Sequence, residues 1–286
     1  MNAATPTIPS LDDISGRYGA LVCDVWGVLH NGLEAFAPAH EALSAARDRG
    51  LAVVLVTNAP RPAPDVVAQL RAIGIPDGSW DKIVTSGDVT RDLIAAGPRR
   101  VFHIGPERDL TIYEGLDVEL CEEREASGVV CTGLFDDHAE TPEHYAGMLR
   151  RLRARDLPFV CANPDIVVER GDQLIWCAGA LARDYGQLGG RTLIAGKPFA
   201  PIYDAAVAAL AEALGRPVDR REVLAIGDGI LTDVKGAADF GLDLLYVSGG
   251  IHAREYGDAQ GVDETRLMAF LSGHGHRPVA TLPRLR

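Results

Sequence analysis

Short runs of Val, Ile, Leu and Ala, each followed by a turn and a helix-like segment, recur along the chain: Ala20 to Cys23, Leu51 to Val56, Thr192 to Ala195, Val223 to Ile226 and Leu244 to Val247. Near-continuous apolarity over so few residues predicts strands covered on both faces. Their alternation with helices predicts a parallel, doubly wound sheet, so the fold class is α/β. The helices read from their ends. Pro38 opens and Gly50 closes AHEALSAARDRG, while Pro64 and Asp65 open a segment that carries Val66, Val67, Leu70 and Ile73 on one face.

Between about residues 99 and 190 the same pattern repeats more weakly, with strands expected at Val101 to Ile104, Val129 to Thr132 and Phe159 to Ala162 around a helix from Pro142 to Arg155. Strands of similar strength lie on both sides of this region. The expectation is therefore a discontinuous Rossmann-like core domain, 1–98 and 191–286, interrupted by an inserted α/β domain at 99–190. No internal repeat or low-complexity tract interrupts the pattern, and the closing GHGHRPVATLPRLR reads as a loose tail.

Composition narrows the class. No apolar run approaches the roughly 20 residues that span a bilayer. The opening MNAATPTIPSLDD has neither the basic region nor the apolar core of a signal peptide, so a soluble cytoplasmic protein is expected. Five scattered cysteines, never in a C-x-x-C pair, predict reduced and mostly buried thiols. A formal net charge of −12 argues against nucleic acid as a partner. An anionic small molecule would then need a local cation, and the chain has only three lysines, Lys82, Lys197 and Lys235.

In open parallel sheets ligands bind at the carboxyl ends of strands, which directs attention to polar residues just after apolar runs. Four such points stand out: Asp24 in LVCDVWGVLHNG, Thr57-Asn58 ending LAVVLVTN, Lys197 in LIAGKP, and Asp228 with Asp233 in VLAIGDGILTD. Singly, each is explained by helix capping, a turn or a solvated charge. Together they compose a phosphoryl-transfer site. Asp24, Asp228 and Asp233 supply the carboxylates that hold Mg2+ beside a carboxylate nucleophile, while Thr57, Asn58 and Lys197 supply donors to phosphate oxygens.

With these four motifs in this order the sequence resembles the haloacid dehalogenase (HAD) superfamily of aspartate-nucleophile hydrolases. Gly27, Asn58, Asn163-Pro164-Asp165, Gly196-Lys197-Pro198 and the long insertion resemble its class IIA, NagD-like branch, which includes nucleotide and p-nitrophenyl phosphatases. The resemblance implies an inserted cap domain that sets substrate specificity and closes over a small phosphorylated substrate. It also implies that Asp24 attacks phosphorus and binds Mg2+, that Trp26 offers the metal its backbone carbonyl, and that Asp228 and Asp233 complete the metal set. Thr57 and Lys197 would hold the phosphoryl group, with Asn58, Asn163 and Asp165 also assigned to substrate. The oligomeric state is left open, a homodimer through the cap being the assembly considered.

One position departs from the pattern. The family's phosphatases carry a second Asp two residues after the nucleophile, which protonates the leaving alcohol and later deprotonates the attacking water. Here Trp26 stands there. Such acid–base assistance is worth about 10² to 10⁴ in rate. His30, on the following loop, is a candidate replacement acid. Two other functions fit the same residues: a displacement enzyme of the dehalogenase type whose leaving group needs no proton, and a catalytically weak protein that binds phosphorylated metabolites.

Other patterns carry less. Gly190 to Lys197 has one residue too many between its glycines for a P-loop, and Pro198 stands where Ser or Thr is required. No G-x-G-x-x-G follows a strand. The arginine-rich run Leu149 to Arg155 is expected to be a solvated helix face, and His274 with His276 to be part of the tail.

Overall fold

The apolar runs become strands in a computed structural model that describes residues 5–171, 173–258, 261–275 and 277–286. In chain order these are β1 (Ala20–Asp24), β2 (Ala52–Thr57), β3 (Lys82–Thr85), β4 (Arg100–Ile104), β5 (Glu119–Leu120), β6 (Gly128–Cys131), β7 (Phe159–Cys161) and β8 (Val167–Arg170). There follow β9 (Gln173–Trp176), β10 (Thr192–Ile194), β11 (Val223–Gly227), β12 (Asp243–Val247), β13 (Gly257–Asp258), β14 (Gly261–Val262) and β15 (Ala280–Leu282). The chain divides into two units. One is Met1–Thr57 with Val67–Val84 and Tyr203–Arg286, and the other is Asn58–Val66 with Thr85–Ile202.

The first unit is built on a six-stranded sheet in the order β15-β12-β11-β1-β2-β3. β1 pairs in parallel with β11 and β2, and β12 in parallel with β11 and β15. Every residue of β1, β2 and β11 is buried, as continuous apolarity requires of strands with helices on both faces. The helix Ala37–Asp48 buries Ala39, Ala42, Leu43 and Ala46, an i, i+3, i+4, i+7 stripe of mostly small side chains that allow close approach to the sheet.

The second unit has a five-stranded sheet in the order β10-β7-β6-β4-β5, parallel throughout, and an antiparallel ribbon of β8 and β9. On one face Ile104, Cys131, Phe159, Leu149, Leu152 and Tyr185 form a core, with Phe159 and Tyr185 stacked at 5.0 Å. On the other, Val101, Val130 and Val160 pack with Ile94 and Ile112. None of the five cysteines is in a disulfide, and four of them are buried.

Three sequence expectations change. Thr192–Ile194, grouped by its apolar run with the strands of the first sheet, pairs instead with β7 in the second. Apolarity marks a strand but does not say which sheet receives it. The helix from Pro142 to Arg155 begins as a 3₁₀ turn, Pro142–Tyr145, before the α-helix Ala146–Ala154. The closing segment is not a loose tail either. Ala280–Leu282 is a buried strand beside β12, Leu285 is buried, and the Leu11 N–H donates to the Arg286 carbonyl at 2.8 Å. Flanking prolines at 278 and 283 hid this short run. His274 ends the helix Glu264–Gly273 and meets the Phe270 carbonyl through Nδ1 at 2.9 Å, while His276 lies outside the described residues. Among the described residues no helix is long and apolar enough to cross a membrane.

Candidate active site

Sheet order places a crevice before any side chain is considered. The chain runs from β1 to its neighbour β2, and from β11 to its neighbour β12 on the opposite side, so the loops leaving the adjacent strands β1 and β11 diverge. Asp24 is the last residue of β1 and Asp228 follows β11 directly. Asp233 lies in the turn Ile230–Val234, which has π-helical geometry. One carboxylate oxygen from each of the three lies within 4.8 Å of the others, and all three residues are buried.

The local sequence makes room for this convergence. A Cβ on Gly27 would stand 2.2 Å from Asp228 Oδ2, and one on Gly250 would stand 1.9 Å from the same atom. Gly27 also has φ +82°, a conformation that costs glycine little. The Ile251 N–H donates to Asp228 Oδ2 at 2.8 Å and the Gly229 N–H to Asp233 Oδ2 at 3.0 Å, which orients both carboxylates. Gly250 and Ile251 were not singled out in the sequence. They follow the apolar run Leu244 to Val247 and so satisfy the same strand-end rule that found Asp228.

Three buried carboxylates so close repel one another strongly unless a cation is shared among them. An all-oxygen donor set suits a hard divalent ion such as Mg2+ rather than a soft metal. The residues present therefore fit the metal that the sequence resemblance implies.

Trp26 is half-buried on the loop after β1. Its indole meets the His30 ring edge to face, with centroids 4.9 Å apart and planes at 65°. A Cβ on Gly32 would stand 2.5 Å from Trp26 Cζ2, so the loop is shaped to admit an indole. His30 is 1% exposed and accepts the Gly32 N–H on Nδ1 at 2.9 Å. Burial pushes its imidazole down to about 4. A general acid must carry its proton at the working pH, and an imidazole held that low does not. His30 is thus a buried turn residue whose burial disfavours the protonated form that a replacement acid needs.

Thr57, buried, closes β2 one residue beyond Val56, the register partner of Asp24. The other predicted site residues meet in the second unit. Asn58 Oδ1 accepts the Lys197 N–H at 2.8 Å, while its Nδ2 donates to Asp165 Oδ1 at 2.9 Å and to the Lys197 carbonyl at 3.3 Å. Asn163 Oδ1 accepts the Asp165 N–H at 3.1 Å, fixing the turn that presents the Asp165 carboxylate. Gly196 has no space for a side chain: a Cβ there would stand 2.4 Å from Ser86 Oγ and 2.8 Å from Asn58 Oδ1. Lys197 is 3% exposed. The other two lysines are surface residues paired with Glu212 and Asp239, so the scarce residue type and the buried position coincide.

The arginine-rich helix face has a structural use. Arg151 pairs with Glu123 at 2.7 Å, and Arg155 donates to the Glu123 and Ala126 carbonyls, each at 2.5 Å.

Residues 21–119 match the family model for haloacid dehalogenase-like hydrolases, and residues 194–268 match a second, HAD-hydrolase-like model. A hydrolase of the haloacid dehalogenase-like family from Brucella suis 1330 is 61% identical, covers 98% of this chain and 100% of its own, and superposes with a TM-score of 0.89. The chain belongs to the haloacid dehalogenase superfamily of hydrolases. Its fold is that of the class IIA branch: NagD from Escherichia coli K-12, 22% identical, covers 93% of this chain and 96% of its own with a TM-score of 0.65. The chain is also 27% identical over 245 residues to the 5'-nucleotidase YutF of Bacillus subtilis (strain 168), a span of 84% of this chain and 90% of that protein.

Proposed function

We propose that this protein is a Mg2+-dependent phosphatase that hydrolyses a small phosphorylated metabolite through an aspartyl-phosphate on Asp24. The observation that carries this reading is the convergence of the Asp24, Asp228 and Asp233 carboxylates at the divergent ends of β1 and β11. Superfamily membership and the similarity to a 5'-nucleotidase support it.

Asp24, Asp228, Asp233 and the Trp26 backbone carbonyl would hold the metal. When bound, Mg2+ supplies the positive charge that lets a carboxylate approach an anionic phosphate. A carboxylate oxygen of Asp24 attacks phosphorus while the bond from phosphorus to the leaving-group oxygen breaks, its electron pair departing with that oxygen. Water then attacks the phosphorus of the acyl phosphate. The bond to Asp24 breaks, the carboxylate is regenerated, and inorganic phosphate leaves as the water's proton passes to solvent.

Thr57 and Lys197 are assigned to the phosphoryl oxygens. Asn58, Asn163 and Asp165 are also assigned to substrate; Asn58 bonds the Asp165 carboxylate and the Lys197 backbone, and Asn163 Oδ1 accepts the Asp165 N–H. Residues 99–190, joined by the strand Thr192–Ile194 that completes their sheet, are assigned to the specificity-setting cap, and the rest of 1–98 and 191–286 to the core. With Trp26 where a carboxyl would protonate the leaving group, this reading favours esters whose leaving group is stable as an anion, such as p-nitrophenyl or acyl phosphates.

The test is a screen of phosphorylated metabolites for released phosphate, with Mg2+ and after its removal, on wild type and Asp24→Asn. Turnover should require Mg2+ and fall by orders of magnitude in the variant while its circular dichroism is unchanged. Near-normal phosphate release by a folded Asp24→Asn protein would overturn the mechanism.

A further inference from the structure

The turn that carries Asp228 and Asp233 has one more external support. Asp228 is fixed by the Ile251 N–H and Asp233 by the Gly229 N–H, both at the ends of the turn. Between them the Ile230 N–H, the first amide of the Ile230–Val234 turn, points away from its own helix and donates to His252 Nε2 at 3.3 Å. Residues 251 and 252 thus grip the turn at two points, one with a main-chain donor to Asp228 and the other with a side-chain acceptor. The grip is braced from behind. The His252 ring packs on Phe270 at 5.3 Å, and Phe270 is itself held by Tyr256 at 5.3 Å and His274 at 4.7 Å, all within the first unit.

Helix starts leave amides without internal partners, and side chains that accept from them fix where the chain enters the helix. Here the entry point lies between two carboxylates whose separation decides whether a cation fits. A small rotation of the Ile230 peptide would move Asp228 and Asp233 relative to each other. We infer that His252 is a positioning residue for the metal site: its Nε2, by accepting the Ile230 N–H, holds the Asp228–Asp233 turn in the conformation that binds the cation. This inference rests on the metal reading given above and adds to it a residue outside the four motifs. Burial keeps the imidazole below its ordinary range, consistent with a neutral ring whose Nε2 lone pair is available.

The test separates the hydrogen bond from packing. His252→Met fills much of the ring volume without a strong acceptor, whereas His252→Gln supplies Oε1 in place of Nε2. Mn2+ affinity is measured without substrate, by electron paramagnetic resonance on the full chain, alongside amide hydrogen exchange at Ile230. His252→Met should bind Mn2+ about 10- to 100-fold more weakly, the range found when a group that orients a metal ligand is lost. It should also exchange its Ile230 amide faster. His252→Gln should recover most of both properties.

Wild-type Mn2+ affinity in His252→Met would overturn the inference, as would a His252→Gln protein no better than His252→Met. A wild-type protein that binds no Mn2+ would overturn the metal reading itself and this inference with it, so the two failures are told apart by the wild-type measurement alone.

Discussion

The His30 imidazole, 1% exposed against Trp26 and pushed down to about 4, makes a prediction whose sign and size follow from the structure. In the unfolded chain an imidazole titrates near 6.5. Between these values the unfolded state binds a proton that the folded state refuses, so stability rises with pH there. The full contribution is present above pH 6.5 and is lost as pH falls through about 4. Over the whole window the loss comes to about 3 kcal/mol, and about 2 kcal/mol has gone by pH 5.

The perturbation is His30→Asn, whose Oδ1 replaces Nδ1 as acceptor for the Gly32 N–H but does not titrate. The assay is urea unfolding of both proteins at pH 8 and pH 5, followed by tryptophan fluorescence. The variant starts lower at pH 8 because the ring contact with Trp26 is lost. Its further loss on going to pH 5 should be smaller than wild type's by about 2 kcal/mol. His103 and His252, also lowered by burial, add to the slope of both proteins and cancel in the difference. Parallel losses in the two proteins would refute the reasoning and return His30 to the list of groups that titrate near neutrality, and with it the possibility of an acid role.

Three other outcomes are expected. Lys197→Ala should lower turnover more than thermal stability, and normal turnover would show that the third motif is misassigned. Asn58→Ala removes the acceptor for the buried Lys197 N–H and should cost about 1–3 kcal/mol in denaturant unfolding. Asn58→Asp, which sets a carboxylate against Asp165, should cost more, and a wild-type midpoint for Asn58→Asp would sink that account. Trp26→Asp should raise kcat on alkyl phosphates more than on p-nitrophenyl phosphate, by up to roughly 10² to 10⁴, with a thermal melt to check that loss of the indole is tolerated. Equal wild-type rates on the two ester classes would show that another group already serves as the acid.

What was legible in the sequence follows from what each signal measures. Asp24, Thr57, Asn58, Lys197, Asp228 and Asp233 stand out as candidates because ligands of open parallel sheets bind at the carboxyl ends of the strands, and apolar runs locate those ends to within a residue. The same signal does not carry sheet membership. In sequence β10 reads like any other apolar strand, and only its partner β7 shows that it belongs to the second sheet. Pairing also decided β15, where the four residues between Pro278 and Pro283 are too few for a periodicity.

Side-chain roles were legible only where the chemistry is intrinsic to the residue. Three carboxylates buried within reach of one another argue for a shared cation. The amide of Asn58, by contrast, suits a phosphate oxygen as well as it suits a backbone, and only the 2.8 Å bond to Lys197 N shows where its acceptor is spent. The supports of the carboxylates were hidden for a related reason. Gly27 and Gly250 act through the side chain they lack, and Ile251 acts through its backbone. His252 follows immediately, outside every motif, and its identity as an acceptor depends on a contact between segments 22 residues apart. Residues that carry the reaction are constrained by chemistry and so by type, whereas those that hold them in place are constrained by geometry, which any residue with the right atom at the right point can meet.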